Sequence, residues 1–201
     1  VDAEVEQGPA AQLALVDAVL VVVGTLLTAS MAGYAFARIP FPGRNALFVV
    51  FLSVLMVPSQ LYLLPQYEII QSLGWLNTLQ ALIVPGIFSA FGTFLMRNHF
   101  LSIPQEIIEA ARMDAAGPVR LLFRVVLPLS GPTMVAFATI TVVNEWNEYL
   151  WPFLMSDDSS VAPLPVGLTQ LQNNDGVTNW GPVMAGTVLT MIPILIVFLA
   201  L

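Results

Sequence analysis

The sequence has 201 residues, of which 57% are hydrophobic and 9% are charged, and its mean hydropathy is +0.83. A soluble domain carries about 25% charged residues, so this composition excludes an ordinary water-soluble domain and indicates a chain embedded in a bilayer. The lack of cysteine excludes a disulfide scaffold and thiolate metal sites.

Five apolar stretches have about the length of a membrane-spanning helix, which needs roughly 20 residues. Several contain proline, which frees backbone carbonyls and indicates spans that line a packed or wet interior. We therefore predict an all-α polytopic membrane protein with one transmembrane domain over residues 1–201. The predicted spans are residues 18–37, 46–64, 79–96, 128–150 and 182–201.

The arginines orient these spans. All six arginines of the sequence, with no lysine, fall on one side if the first span runs inward. The positive-inside rule makes that side cytoplasmic. The polar loop at residues 151–181 is then extracytoplasmic. Because five spans leave the amino terminus outside and residues 1–23 are atypical, we expect a missing first helix, and we also expect the protein to continue beyond Leu201.

A charged cytoplasmic stretch at residues 102–126 separates the third and fourth spans and reads as two short helices joined by a turn. Ser102 is expected to cap the first helix, with Pro104 in its opening turn and Gln105 at the capping-box position. Gly117-Pro118 is expected to end it.

Helical spacing places small residues on one face of this helix. Ile107, Ala110, Ala111 and Asp114 share that face, and the two alanines leave it flat enough for another protein to approach closely. Arg112 is expected to pair with Glu109, three residues before it.

The stretch resembles the cytoplasmic EAA loop of permease subunits in binding-protein-dependent ABC importers. The resemblance rests on Glu109-Ala110-Ala111, Asp114-Ala115-Ala116, Phe123 and Leu127-Pro128. In that family the loop is a coupling helix that sits in a groove of the ATPase subunit. The family usually has glycine where Ala115 stands, and Gly117 is expected to supply that flexibility here. The residues that the resemblance implies for ATPase coupling are Glu109, Ala110, Ala111, Asp114, Ala116 and Gly117.

The resemblance also implies the fold and the partners. The family usually has six spans with both ends cytoplasmic, so this chain looks like a bacterial inner-membrane permease that lacks its first span. The implied partners are a second homologous permease, an ATPase dimer, an extracytoplasmic solute-binding protein and membrane lipid, with no nucleic acid. No Walker-type loop occurs in the sequence, so ATP hydrolysis is expected in a partner subunit, and neither a cofactor nor a metal is expected.

Further motifs make the chain similar to carbohydrate-type importers, and most similar to permeases for glycerol phosphate or its diesters. The likeness to carbohydrate-type importers rests on Tyr34 to Arg38, Phe91 to Leu95, Trp146 to Pro152 and Leu164 to Leu168. The likeness to glycerol-phosphate permeases rests on Asn144 to Pro152 and Met96 to Phe100. We predict a small polar solute, either a sugar, glycerol 3-phosphate or a glycerophosphodiester. The expected pathway residues, which supply hydrogen bonds and stacking faces, are Asn144, Glu145, Trp146, Asn147, Glu148 and Tyr149.

Some alternatives stay open at this point. Tyr149 and Trp151 fit an ordinary interfacial aromatic belt equally well. No arginine lies in the extracytoplasmic half of the predicted protein, where an anionic phosphate would need one. Acids beside aromatic rings suit a quaternary ammonium, so a zwitterionic choline ester is the favoured diester. An ion-coupled secondary transporter, with Glu145 and Glu148 as its ion site, is the main alternative function. A non-transporting membrane scaffold is a further one.

Overall fold

The computed structural model describes residues 3–155 and 180–200, and these residues contain helices and no strand. The predicted all-α class is therefore confirmed for them. The α-helices are α1 (Ala3–Arg38), α2 (Arg44–Ser53), α3 (Ser59–Ser72), α4 (Leu79–Gly86), α5 (Ala90–Ser102), α6 (Gln105–Met113), α7 (Pro118–Leu121), α8 (Leu127–Leu129), α9 (Gly131–Asn147), α10 (Leu150–Met155) and α11 (Trp180–Ala200). A 3₁₀ turn covers Val54–Met56, and a π turn covers Leu122–Val126.

Two helical stretches are long and apolar enough to cross a bilayer. Val16–Arg38 has 23 residues with a mean hydropathy of 1.9, and Leu79–Ser102 has 24 residues with 1.7. The first agrees with the predicted span at residues 18–37. The second extends six residues past the predicted end at Met96, so the helix continues almost to α6.

The predicted second span at residues 46–64 is bent. Arg44–Met56 and Ser59–Ser72 meet at 97°. The cause is Pro58, because the residue before a proline is pushed out of the α region. Val57 accordingly takes an extended conformation, with φ −90° and ψ 118°. The run predicted as the second span is therefore broken at Pro58, and its crossing of the membrane stays a prediction.

The predicted fourth span at residues 128–150 also contains a bend. Pro118–Leu129 and Gly131–Asn147 meet at 83°. Pro128 and Pro132 lie on either side of the bend, and neither can donate the backbone hydrogen bond that a continuous helix needs. If each bent pair counts as one span, the described residues hold up to four spans. The shorter apolar segment Val183–Ile192 corresponds to the predicted fifth span. The count of five stays a prediction.

The chain divides into two compact units. The first unit comprises Val1–Val22, Ser59–Gly86 and Thr139–Leu201, and the second comprises Val23–Pro58 and Ile87–Ala138. The core of the first unit is small and joins α3, α4 and α10. Its buried members are Ile70, Ala81, Leu82 and Met155, with Trp151 packed against them. Most of the predicted outer loop, residues 156–179, lies outside the described residues.

The second unit has the larger core, in which α1 and α5 pack closely. A Cβ added to Gly33 of α1 would lie 3.0 Å from the backbone nitrogen of Arg97 in α5. The Thr28 hydroxyl donates to the Ile87 carbonyl just before α5. The buried members of this core are Ala29, Tyr34, Ala37, Met96, Phe100, Ile103, Ile108, Leu121, Leu122, Val126 and Phe137.

Candidate functional site

The first candidate site is α6, and its amino end differs from the sequence prediction. Ser102 still belongs to α5, where its hydroxyl donates to the His99 carbonyl at 2.7 Å. Pro104 occupies the N-cap position of α6, and no side chain caps the helix. Pro104 forces Ile103 into an extended conformation, so the break between the helices falls after Ser102. The predicted Ser102 cap is therefore wrong.

The carboxyl end of α6 is a Schellman motif. The backbone nitrogen of Ala116 donates to the Ala111 carbonyl at 3.2 Å, and that of Ala115 donates to the Arg112 carbonyl at 3.0 Å. This motif needs a left-handed residue after the cap, and Ala115 takes that role with φ 54°. Gly117 is extended, with φ −66° and ψ 165°. The expectation that Gly117-Pro118 ends this helix is therefore wrong, and the left-handed position is occupied by Ala115 and not by Gly117.

One side chain anchors α6 in the core of the second unit. Ile108 is fully buried, and Ala111 and Ala116 pack partly against the same core. Ile107, Ala110 and Asp114 lie on the exposed side, so three of the four residues predicted to form a flat face are accessible. Met113 at the end of the helix is 87% exposed. The anchor Ile108 was not identified from the sequence.

The charges on α6 are arranged differently from the prediction. The Glu109 carboxylate accepts a hydrogen bond from the Gln105 amide at 3.2 Å, one turn earlier. The expected pair between Glu109 and Arg112 does not form among the described residues. Glu109, Arg112 and Asp114 are exposed and carry no ion pair among the described residues.

The second candidate site is the polar end of α9, in the first unit. Asn144, Asn147 and Glu148 are exposed, and Glu145 is half-buried. The Glu145 Oε1 atom lies 3.7 Å from where a Cβ on Gly86 would be. Such a Cβ would be in ordinary van der Waals contact with the carboxylate, so Glu145 lies next to the end of α4.

Several of the predicted pathway side chains make contacts within the protein. The Trp146 ring is buried, and its Nε1 donates to the Thr190 carbonyl at 2.9 Å. The Glu148 carboxylate accepts from the backbone nitrogen of Trp151 at 3.3 Å, at the start of α10. Tyr149 stacks on Phe153 with ring centres 5.3 Å apart. The Asn147 amide nitrogen likewise donates to the Val143 carbonyl of its own helix at 2.7 Å, although its side chain is exposed. Asn144 and Glu145 make no side-chain hydrogen bond among the described residues.

Asp17 is a residue of this region that the sequence reasoning missed. It is half-buried in α1, and its Oδ1 atom is buried with no hydrogen-bond partner among the residues that the structure describes. Its charge and that of Glu148 act on the Glu145 carboxylate. A lone acid beside an apolar stretch is the feature that could have indicated it. The described residues contain no group of three or more histidine or acidic side chains that could hold a metal.

Comparison with known proteins identifies the family. Residues 9–201 match the family described as "Binding-protein-dependent transport system inner membrane component". The chain belongs to this family. It is accordingly a multi-pass component of the inner membrane, as its apolar helices require.

Two curated relatives illustrate the family. The arabinooligosaccharides transport system permease protein AraQ of Halalkalibacterium halodurans is 36% identical over 181 residues, which are 90% of this chain and 64% of the relative. The sn-glycerol-3-phosphate transport system permease protein UgpE of Pectobacterium atrosepticum is 37% identical over 183 residues, which are 90% of this chain and 65% of the relative. The chain thus spans slightly less than two thirds of the length of these relatives.

A solved structure agrees in fold. The crystal structure of a bacterial ABC transporter involved in the import of the acidic polysaccharide alginate contains a chain that superposes with a TM-score of 0.85. The match covers 96% of this chain and 72% of the other, at 24% sequence identity. At this identity the likeness establishes the permease fold alone.

Proposed function

We propose that this chain is the permease subunit of an ATP-driven ABC importer that moves a small polar solute into the cell. Membership of the binding-protein-dependent family supports this role, as do relatives named for arabinooligosaccharide and glycerol-3-phosphate transport. In the proposed assembly an extracytoplasmic binding protein delivers the solute, and a second permease completes the pathway. A dimer of ATPase subunits, not this chain, hydrolyses ATP.

The observation that carries the proposal is the construction of α6. The fully buried Ile108 holds its inner side in the core. On its outer side Glu109, Ala110 and Asp114 are exposed, and neither of the two carboxylates pairs with an arginine among the described residues. A short helix that is fixed on one side and flat and acidic on the other suits insertion into a groove of another protein. We assign it as the coupling helix. The proposed contact residues are Glu109, Ala110, Ala111, Asp114, Ala116 and Gly117.

The proposed solute contacts lie at the end of α9. Asn144 and Asn147 offer exposed amides, and the half-buried Glu145 offers a carboxylate. Carboxylates suit hydroxyl groups or a quaternary ammonium better than a bare phosphate, because like charges repel. We therefore favour a sugar or a zwitterionic glycerophosphodiester, and a strong transport preference for free glycerol 3-phosphate would count against this choice.

The test is copurification of the partners. The chain is co-expressed with its neighbouring genes as wild type, as Glu109→Lys and as Glu68→Lys, since Glu68 is an exposed glutamate of the first unit. We expect an ATPase and a second permease to copurify with the wild type and with Glu68→Lys, and the ATPase to be lost from Glu109→Lys. The charge reversal places an ammonium where the groove is expected to be complementary to an acid.

Two results would contradict the proposal. Normal transport and an undiminished ATPase content in Glu109→Lys would remove α6 from the coupling role. A stable wild-type preparation that contains no ATPase would favour the ion-coupled secondary transporter.

A further inference from the structure

The junction between α5 and α6 leaves a backbone carbonyl without its usual partner. In a continuous helix the Phe100 carbonyl would accept from the nitrogen of residue 104, but that residue is proline and has no N–H. The last carbonyls of a helix need partners from elsewhere when they are not solvated. Ile103, held extended before the proline, adds a second such carbonyl at the same turn.

Arg38, the last residue of α1, supplies both partners. Its guanidinium donates to the Phe100 carbonyl from Nε at 3.1 Å and from Nη2 at 2.5 Å. Nη2 also donates to the Ile103 carbonyl at 2.6 Å. The side chain is half-buried, and no carboxylate pairs with it in the described part of the chain.

The same guanidinium reaches into α6. Nη1 of Arg38 donates to the side-chain oxygen of Gln105, the first residue of α6, at 2.8 Å. The amide nitrogen of Gln105 then donates to Glu109 at 3.2 Å. One side chain at the end of the first span is thereby linked to the exposed carboxylate in the middle of α6.

α5 also donates a side-chain hydrogen bond back to α1. The Arg97 Nε of α5 donates to the Phe36 carbonyl of α1 at 3.3 Å. Because each helix donates an arginine to the backbone of the other, α1 and α5 are tied together next to the junction. A displacement of α6 therefore has a direct route to α1 through Arg38.

We propose that Arg38 is the positioning residue that joins α6 to the first span and transmits movement of α6 to that span. This inference rests on the proposed role of α6 as the contact with the ATPase. Arginine is required because its planar fork presents five N–H donors and can serve three acceptors at once. The single ammonium of a lysine cannot reach the same three oxygens from one point.

The first test measures geometry. The chain has no cysteine, so Met31→Cys in α1 and Met113→Cys in α6, which are 56% and 87% exposed, give one clean pair for spin labels. Distances are recorded by pulsed electron paramagnetic resonance on the full-length chain, copurified with its neighbours and placed in lipid nanodiscs. We expect one narrow distribution in the parent and a broadened or shifted one in both Arg38→Gln and Arg38→Lys.

Arg44→Gln is the matched control. It removes the same charge from the same side of the chain, but in the described part of the chain the Arg44 guanidinium donates to the end of α1 and the loop after it, at the Ala37 and Ile39 carbonyls, and not to α5 or α6. We expect its distance distribution to equal that of the parent. If Arg38→Gln fails to fold, Gln105→Leu breaks only the contact with α6, and its distribution is expected to broaden too. A distribution unchanged in the folded Arg38 and Gln105 variants would overturn the proposal.

The second test measures transmission with ATP and vanadate as the probe. A single spin label at Met31→Cys is expected to change its spectrum when nucleotide is trapped. In Arg38→Gln we expect that change to be about tenfold smaller, because the charged hydrogen bonds of Arg38 are lost. The ATPase is expected to copurify with this variant as before. A residue with only a structural role would lower the yield and leave the response of the folded fraction intact. An equal response in Arg38→Gln and wild type, or none in wild type, would contradict transmission.

The two proposals fail in different ways. Retention of the ATPase by Glu109→Lys refutes the coupling role of α6, yet the label distances still decide whether Arg38 positions that helix. Loss of the ATPase from Glu109→Lys, combined with unchanged distances and an unchanged response in Arg38→Gln, refutes the role of Arg38 alone.

Discussion

Ala115 sits in a backbone conformation that glycine adopts more easily. Its φ of 54° is in the left-handed region, and its nitrogen and that of Ala116 close the Schellman motif at the end of α6. An L-residue with a Cβ is less stable there by about 1–2 kcal/mol. The glycine that the family usually has at this position therefore answers a steric requirement, which this chain meets with alanine at some cost in stability.

Replacing Ala115 with glycine is expected to stabilise the protein. Relief of the left-handed strain outweighs the greater chain entropy of glycine, so the free energy of unfolding should rise by about 0.5–1 kcal/mol. The measurement is the thermal unfolding midpoint of the purified variant in detergent.

The control is the same substitution at Ala110, an exposed position in the middle of α6. Glycine in a helix interior lowers stability by about 1 kcal/mol, so Ala110→Gly should shift the midpoint downward. If both variants lose stability to the same extent, Ala115 is not strained in the protein.

Close packing of helices in the second unit depends on Gly92 of α5. A Cβ at this position would meet the buried ring of Phe137 in α9 at 2.1 Å, which is far inside van der Waals contact. Phe137 belongs to the same core as Ile108, the anchor of α6. The absence of a side chain at residue 92 is thus a condition for the packing of α5 against α9.

We expect Gly92→Ala to destabilise the protein by about 1–3 kcal/mol, the usual result of forcing extra volume into a packed core. Gly131→Ala is the control, because a Cβ on Gly131 meets nothing within 4 Å. Thermal unfolding of both variants, together with their yield in membranes, measures the difference. Equal stability of the two variants would show that the ring of Phe137 moves aside freely.

The sequence predicted which elements exist better than it predicted their shape. Hydropathy and length predicted a first span that starts within two residues of the apolar helix Val16–Arg38, because a bilayer imposes a minimum apolar length. The bends near Pro58 and Pro132 were not predicted as bends, since a proline inside an apolar run is compatible with a kink, a break or a continued helix. Tertiary contacts decide between these outcomes.

The same limit applies to α6. Ile107 and Ile108 are adjacent in sequence and equally apolar, so periodicity alone does not say which of them is buried. The core of the second unit selects Ile108 and leaves Ile107 exposed. Of the small and acidic residues predicted for the flat face, Ala110 and Asp114 are exposed, whereas Ala111 packs partly against the core. The anchor, the Schellman motif and the arginine at the junction were not predicted.

At the scale of the whole molecule, the two candidate sites belong to different compact units. The exposed face of α6 lies in the second unit, and Asn144, Glu145 and Asn147 lie in the first. A substitution at one site is therefore expected to leave the local structure of the other intact. The roles of the sites in coupling and in solute recognition should be separable by experiment.

Glu145→Gln is expected to impair solute uptake without releasing the ATPase. In proteoliposomes that contain the copurified transporter and its binding protein, uptake of the transported sugar or diester should fall about tenfold, which corresponds to about 1.4 kcal/mol. The neutral amide keeps the size of the side chain and removes the charge that we propose faces the solute. Uptake of labelled solute and the ATPase content of the same preparation are the two measurements.

Asn98→Asp gives a charge-altering comparison at an exposed position of the second unit, and it should leave uptake near the wild-type value. Unchanged uptake in Glu145→Gln would remove this carboxylate from the pathway. Loss of the ATPase from Glu145→Gln would mean that the two sites are not separable.

The contacts of Arg38 have an implication for how this family can diverge. Two of its three acceptors are main-chain oxygens, at Phe100 and Ile103, and the reciprocal contact of Arg97 is also to a main-chain oxygen. Every residue type carries that oxygen, so mutation of these positions over time does not remove the acceptor. The main-chain part of the junction can therefore be inherited through an arginine and a proline while other side chains around them change, whereas the contact with α6 also needs the side chain of Gln105.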